Sequence, residues 1–148
     1  MSKRVLAIAS AGGHWDQMMR LRTAFVGHQV TFVTTRDGVA QRAGVVARLV
    51  PDCNRHERLR VIACAARLAL LILRRRPQVI VTTGALPGVI GIALGRAIGA
   101  RTLWIDSIAN GEQMSLSGRR ARTLATQCLS QWPDVAATEQ VGYSGAVL

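Results

Sequence analysis

Ser10-Ala11-Gly12-Gly13-His14 is the first stretch of the chain whose residue types point to chemistry. Two successive glycines let a backbone turn tightly and approach a ligand, and the helical pattern that follows offers free N–H groups and the positive end of a dipole. That is an anion cradle. The G-x-G-x-x-G spacing is missing and no G-K-[ST] follows, so it is neither a dinucleotide fingerprint nor a Walker loop. An imidazole at a helix start, His14, suits a neutral hydrogen-bond partner or a base. Thr83-Gly84-Ala85-Leu86-Pro87-Gly88 repeats the theme, with Pro87 near the first position of the next expected helix. A plain strand-to-helix turn would account for either loop about as well. Asp106 ends an apolar run, where a carboxylate can bind a sugar hydroxyl, orient His14, act as a base or cap a helix.

The elements that must position these loops alternate along the chain. Val5 to Ala9 reads as a buried strand and Asp16 to Phe25 as a helix, with Met18, Leu21 and Phe25 at helical spacing. Strands follow at Val30 to Thr34 and, shorter, at Arg48 to Val50. A helix from about Glu57 to Arg75 then leads to a strand at Val79 to Thr83, a helix from Pro87 to Ile98 and a strand at Thr102 to Asp106. The pattern predicts a last helix from Ser115 to Leu129 and a last strand at Val135 to Ala137. This rhythm predicts an α/β fold, a Rossmann-like doubly wound parallel sheet with right-handed crossovers. Ligands of such sheets bind beyond the carboxyl ends of the strands, where all three loops should open together.

Over 148 residues, 19 Lys+Arg stand against 8 Asp+Glu, a formal net charge of +11, while 49% of residues are apolar. A single domain over residues 1–148 with an ample core is expected, not a disordered basic tail. The charge calls for an anionic partner, whether a phosphorylated substrate, an anionic leaflet, an acidic protein or nucleic acid. Nucleic acid is disfavoured, because no aromatic residues interleave with the arginines for base stacking. Cys53, Cys64 and Cys128 lack disulfide or zinc spacing and no acidic cluster appears, so neither metal nor cofactor is expected. The longest apolar stretch, Val61 to Leu73, is interrupted by Arg67 and falls short of the roughly 20 residues that span a bilayer.

The helix carrying that stretch has a basic line, Arg60, Arg67 and Arg74, flanked by Arg75 and Arg76. Leu59, Ile62, Ala63, Ala66, Ala69, Leu70, Ile72 and Leu73 cover an opposing arc wider than packing on one sheet face requires. Two readings fit it: a sheet-packed helix with a solvated basic edge, or a helix at the membrane interface with its arginines on anionic headgroups.

SAGGHWDQMMRL, RPQVIVTTGALPG, WIDSIANGEQMSLSGR and QWPDVA, in this order and spacing, resemble the acceptor-side subunits of split glycosyltransferases. These are the PssD-type polysaccharide proteins and the membrane-anchoring subunit of the two-chain transferase that adds the second N-acetylglucosamine to dolichyl diphosphate. The resemblance runs from about Val5 to Leu148, and Ser115-Leu116-Ser117-Gly118 and Gln131-Trp132-Pro133 are its more specific segments. It implies the N-terminal, acceptor-binding half of a MurG-like GT-B enzyme cut in two, with a PssE-type donor-binding subunit as partner. By position, Gly12, Gly13, Thr83, Gly84, Pro87 and Gly88 would hold the acceptor diphosphate, and His14 and Asp106 would be the catalytic groups. Ser107, Asn110 and Glu112 would meet the acceptor saccharide, and Arg60, Arg67, Arg74, Arg75 and Arg76 the anionic membrane surface. Asp106 stands where the dolichol-pathway relatives have Glu. Those relatives carry an N-terminal anchor, whereas this sequence starts at its first strand, so peripheral attachment to the cytoplasmic face of the cell membrane is expected.

The implied reaction moves a sugar from a UDP-sugar to a polyprenyl-diphosphate-linked saccharide in exopolysaccharide, capsule or lipopolysaccharide synthesis, with the UDP-sugar bound at the subunit interface. Two other classes stay open: a non-catalytic membrane scaffold for the partner, and a small nucleotide- or nucleic-acid-binding Rossmann domain.

Overall fold

A computed structural model describes residues 1–147; Leu148, the end of the expected domain, lies outside the described residues. Seven strands, β1 (Arg4–Ile8), β2 (Gln29–Thr34), β3 (Ala47–Leu49), β4 (Val79–Thr82), β5 (Arg101–Ile105), β6 (Gln127–Ser130) and β7 (Gly142–Tyr143), form one sheet in the order β3-β2-β1-β4-β5-β6-β7. Every pairing is parallel, as the alternation of elements predicts. The connecting helices are α1 (Gly13–Leu21), α2 (Val39–Arg42), α3 (Arg58–Arg75), α4 (Ala85–Ala97), α5 (Leu116–Leu124) and α6 (Pro133–Glu139).

Burial on both faces explains the unbroken apolar strands. Val5 and Ala7 of β1 pack with Trp15 and Met18 of α1 and Val39 of α2, whereas Leu6 and Ile8 pack with Leu68 and Ile72 of α3. In β5, Trp104 joins Val89, Ile92 and Ala121 beneath α4 and α5, while Ile105 turns to the α1 face. The chain winds outward from β1 to β3, crosses back through α3 to β4, and then winds the other way. β1 and β4 are therefore neighbours at the point where the winding reverses, and their following loops share a crevice at the carboxyl edge.

Helix α4 sits unusually close to that crevice's floor. Gly88, Gly91 and Gly95 line its inner face, and a Cβ at these positions would collide with Thr82, Ile8 and Ile80 respectively. The missing side chains let the helix lie directly on β1 and β4.

Two expectations need correcting. The segment 125–130 leaves the helix: Ala125 is extended, and Gln127–Ser130 pairs with β5, placing Cys128 and Leu129 on opposite faces of the sheet. Its sequence has weak strand propensity, and pairing beside β5 overrides it. Val135 to Ala137 is helix rather than strand, because Pro133 occupies the first helical position with Asp134 in the first turn, and a short β7 closes the sheet instead. The wide apolar arc of α3 divides between sheet and surface, as its excess width over one sheet face allows. Cys64, Leu68 and Ile72 face the sheet, while Leu59, Ile62, Ala63, Ala66, Leu70 and Leu73 are exposed.

Candidate functional site

The loops after β1 and β4 meet through His14. Its Nδ1 lies 2.8 Å from the Thr83 carbonyl oxygen, and the Thr83 hydroxyl donates back to the His14 carbonyl at 2.6 Å. A carbonyl only accepts, so Nδ1 carries the proton and, in the neutral ring, Nε2 keeps its lone pair. The imidazole rests against Gly84, whose φ of 139° and lack of a Cβ make room for it; any Cβ there would collide with the ring. Gly12 caps α1 with φ 74°, and both Gly12 and Gly13 are exposed with open space where a side chain would be. The first helical bond of α1 runs from Asp16 N–H to the Gly12 carbonyl at 3.1 Å, and no side chain caps the helix. The N–H groups of Gly13 and His14 thus point past the helix end, toward the crevice. α4 likewise has no side-chain cap, and Ala85 at its start holds φ 67°, strained for a residue with a Cβ. The two loops present two uncapped helix N-termini with a fixed imidazole between them, an arrangement that suits a diphosphate beside a hydroxyl needing a base.

Not every expected diphosphate contact lies in this cradle. α4 begins at Ala85, two residues earlier than expected, so Pro87 sits third in the helix, buried and without an N–H to donate. Gly88 lies one turn inside the helix against Thr82. Both serve packing.

Asp106 occupies a different place from the one expected of a base. It is 2% exposed, and its oxygens accept from Trp104 Nε1 (3.0 Å), Ser115 Oγ (2.7 Å), Asn110 Nδ2 (2.9 Å) and Ser115 N–H (3.1 Å). Ser115 in turn caps α5 by accepting from Gly118 N–H. The carboxylate therefore ties the loop after β5 to the start of α5, and it is the Thr83 carbonyl that orients His14. Ser107 is buried and accepts from Gln17 Nε2 at 3.1 Å, and Asn110 is engaged with Asp106; of the expected saccharide contacts only Glu112 is exposed.

Two residues escaped the sequence reading. Gln17 is 6% exposed and Gln131 3%. Gln17 Oε1 accepts from Ile108 N–H and from Gln131 Nε2, and Gln131 also donates to the Asp106 carbonyl and accepts from Val147 N–H. This buried amide pair joins α1 to the loops after β5 and β6. Gln17 lies one helical turn beyond Gly13, on the buried side with Met18, which is the signal that marks it. Trp132 closes the rim, its indole N–H donating to the Ile108 carbonyl at 2.7 Å.

Burial raises the thiol pKa at all three cysteines, to about 12 at Cys64 and Cys128, so they pack rather than react. Among the described residues no three His, Cys, Asp or Glu side chains gather where they could share a metal ion, and no helix is long and apolar enough to cross a membrane. Arg60, Arg67, Arg74, Arg75 and Arg76 are all exposed on or just after α3.

No protein-family model matches the chain. A relative is the UDP-N-acetylglucosamine transferase subunit ALG14 of Eremothecium gossypii, 27% identical over an alignment 167 positions long that spans 90% of this chain and 75% of that protein. Among solved structures, Acinetobacter baumannii MurG superposes with a TM-score of 0.76 at 13% identity, covering 98% of this chain and 45% of MurG. Staphylococcus aureus MnaA with UDP gives 0.75 at 13% identity, over 93% of this chain and 40% of that one. The UDP-GlcNAc 2-epimerase of Neisseria meningitidis bound to UDP-GlcNAc gives 0.73 at 9% identity, over 98% and 46%. The chain thus spans under half the length of these structures, and its fold is the Rossmann-like α/β unit of GT-B N-terminal domains.

Proposed function

We propose that the chain is the acceptor-binding subunit of a two-component glycosyltransferase that moves a sugar from a UDP-sugar to a polyprenyl-diphosphate-linked saccharide. The observation that carries this reading is the crevice between β1 and β4, with its two uncapped helix N-termini and an imidazole whose Nδ1 is committed to Thr83. The acceptor diphosphate lies on the N–H groups of Gly13 and His14 and on the α4 terminus. The acceptor hydroxyl gives its proton to His14 Nε2 as its oxygen bonds to the anomeric carbon and the bond to UDP breaks on the opposite face. A partner chain holds the donor across the crevice. The relative's description as a transferase subunit supports the split.

The subunit works at the cytoplasmic face of the membrane, lying on it through α3. Leu59, Ile62 and Leu73 are 83%, 64% and 65% exposed along one line of this helix, with Arg60, Arg67 and Arg74 beside them. Apolar side chains so placed gain by entering the acyl boundary while arginines meet headgroup phosphates.

The test is to co-express the chain with the protein encoded beside it, add membranes, and measure UDP release from a panel of UDP-sugars. Release by the pair and by neither chain alone is expected, with His14→Ala lowering turnover by about 100-fold or more. A verified complex that releases no UDP with its acceptor present would favour the scaffold.

A further inference from the structure

The tryptophan of Gln131-Trp132-Pro133 takes no part in the diphosphate cradle. Trp15 and Trp104 are buried and Phe25 and Phe32 half-buried, so among the described residues Trp132 and Tyr143, 41% and 49% exposed, are the aromatic side chains open to solvent. Both stand at the carboxyl edge of the sheet: Tyr143 ends β7 opposite Ser130, the last residue of β6, and Trp132 follows two residues later. The indole of Trp132 is fixed in place. Its Nε1–H donates to the Ile108 carbonyl, and the backbone N–H of Trp132 donates to Ser130 Oγ at 3.2 Å. A Cβ on Gly111 would stand 3.2 Å from Cε2 of the ring and 3.5 Å from two of that atom's bonded neighbours, Cζ2 and Nε1, which places it over the ring face and not in the ring plane. The bare glycine thus lets the loop after β5 lie against one face, and the rest of the ring is left to solvent. The local charge is unlike that of the whole molecule. In a chain of net charge +11, no Lys or Arg stands between Arg101 and Arg119 or after Arg122. Glu112, next to Gly111, is exposed and has no ion-pair partner among the described residues. The site is also tied to the cradle: Gln131 donates to Gln17, and Gln17 Nε2 donates to the Gly13 carbonyl at 3.3 Å.

We propose that Trp132 is a stacking platform for a pyranose ring, with the Glu112 carboxylate accepting hydrogen bonds from the hydroxyls of that sugar. A pyranose has an apolar C–H face bordered by hydroxyl donors, so the face is buried on the indole while the donors meet an acceptor beside it. A nucleotide or a lipid phosphate would bring negative charge to a carboxylate that no cation offsets, which argues against both. The inference rests on the acceptor reading above for which saccharide arrives. It adds the residue that recognises the sugar, a task that Ser107 and Asn110, engaged with Gln17 and Asp106, do not fill.

The probes are methyl β-glucopyranoside, sorbitol, which has the hydroxyls without a ring face, and UMP, each added to the full chain in saturation-transfer NMR. The glucoside should receive saturation mainly at the protons of one ring face, H1, H3 and H5 or H2 and H4, and sorbitol and UMP should receive little. Trp132→Ala should lower the glucoside signal about fivefold or more with unchanged circular dichroism, and Trp132→Phe, which keeps an aromatic face, should retain part of it. Glu112→Ala should lower it about threefold. Equal signals from wild type and Trp132→Ala, equal signals from glucoside and sorbitol, or Trp132-dependent binding of UMP in place of the glucoside overturns the platform. Loss of partner binding by Trp132→Ala with its glucoside signal intact assigns the ring to the subunit interface and overturns it too. Kinetics of the pair separate this inference from the acceptor reading. Sugar transfer with an unchanged acceptor KM after Trp132→Ala removes the platform and keeps the acceptor reading, whereas Trp132-dependent glucoside binding by a chain whose pair transfers nothing keeps the platform and removes the acceptor reading.

Discussion

At the scale of single residues, two polar side chains of the carboxyl edge have opposite designs. His14 has one nitrogen committed to Thr83 and the other uncommitted, while Asp106 has every oxygen occupied. Asp106→Asn puts an NH₂ against groups that donate, so two of the four bonds are lost. We expect the melting curve to show a loss of about 2 kcal/mol or more. A residue that acted only as a base would lose turnover with no change in melting. Gly84→Ala tests the seat of His14: the new Cβ meets the imidazole, and UDP release should fall to near the level of His14→Ala at temperatures where the variant stays folded. Thr34 makes the reverse case. Its hydroxyl is buried with no hydrogen-bond partner, so Thr34→Val should stabilise the chain by about 1 kcal/mol in urea denaturation. The loop residues could be picked from sequence because a glycine pair and a histidine at a helix start are local signals. The engagement of Asp106 was not legible, since its donors come from Trp104, Asn110 and Ser115 and meet only in the folded loop.

Among the elements, α4 and the α5–α6 pair show how placement is secured. The Gly88, Gly91 and Gly95 face holds α4 against β1 and β4, and Gly91→Leu should cost about 1–3 kcal/mol by forcing the helix off Ile8. On the neighbouring pair, Glu139 of α6 accepts from Arg119 of α5 at 2.7 Å and lies 3.6 Å from Arg122. The hydrogen bond from Arg119 holds its carboxyl below the usual carboxylate range. A lowered folded pKa means that the pair stabilises the fold above the ordinary glutamate value and that this contribution is lost as pH falls through the folded one. The difference in urea midpoint between wild type and Glu139→Gln, present at neutral pH, should therefore shrink as the solution is taken below about pH 4. Helix and strand types were legible wherever apolar periodicity was strong, as in β1, β4 and α3. They were not legible after Leu124, where a segment of weak strand propensity becomes β6 because β5 offers it an edge.

The whole molecule is strongly basic, and its charge is unevenly used. Much of the arginine excess flanks an exposed apolar line on α3, which gives the membrane reading its test. The chain should float with vesicles containing phosphatidylglycerol and not with neutral ones, and Ile62→Asp with Leu73→Asp, or Arg60, Arg67 and Arg74 changed to Glu, should abolish flotation. Undiminished flotation of both variants would remove α3 as the docking element. By itself the sequence determined the fold class, because strands buried on both faces must be apolar throughout and the helices between them must be long enough to cross over. It also determined the loops where chemistry would gather, since in a parallel sheet every loop that follows a strand opens on the same edge. Only the tertiary structure decided which residues in those loops stay available. His14 is fixed by Thr83, 69 positions away, and the bare side of α3 is set by its packing on the sheet, while the partners of Asp106 and Gly88 lie within nine positions but meet only once the loops have folded.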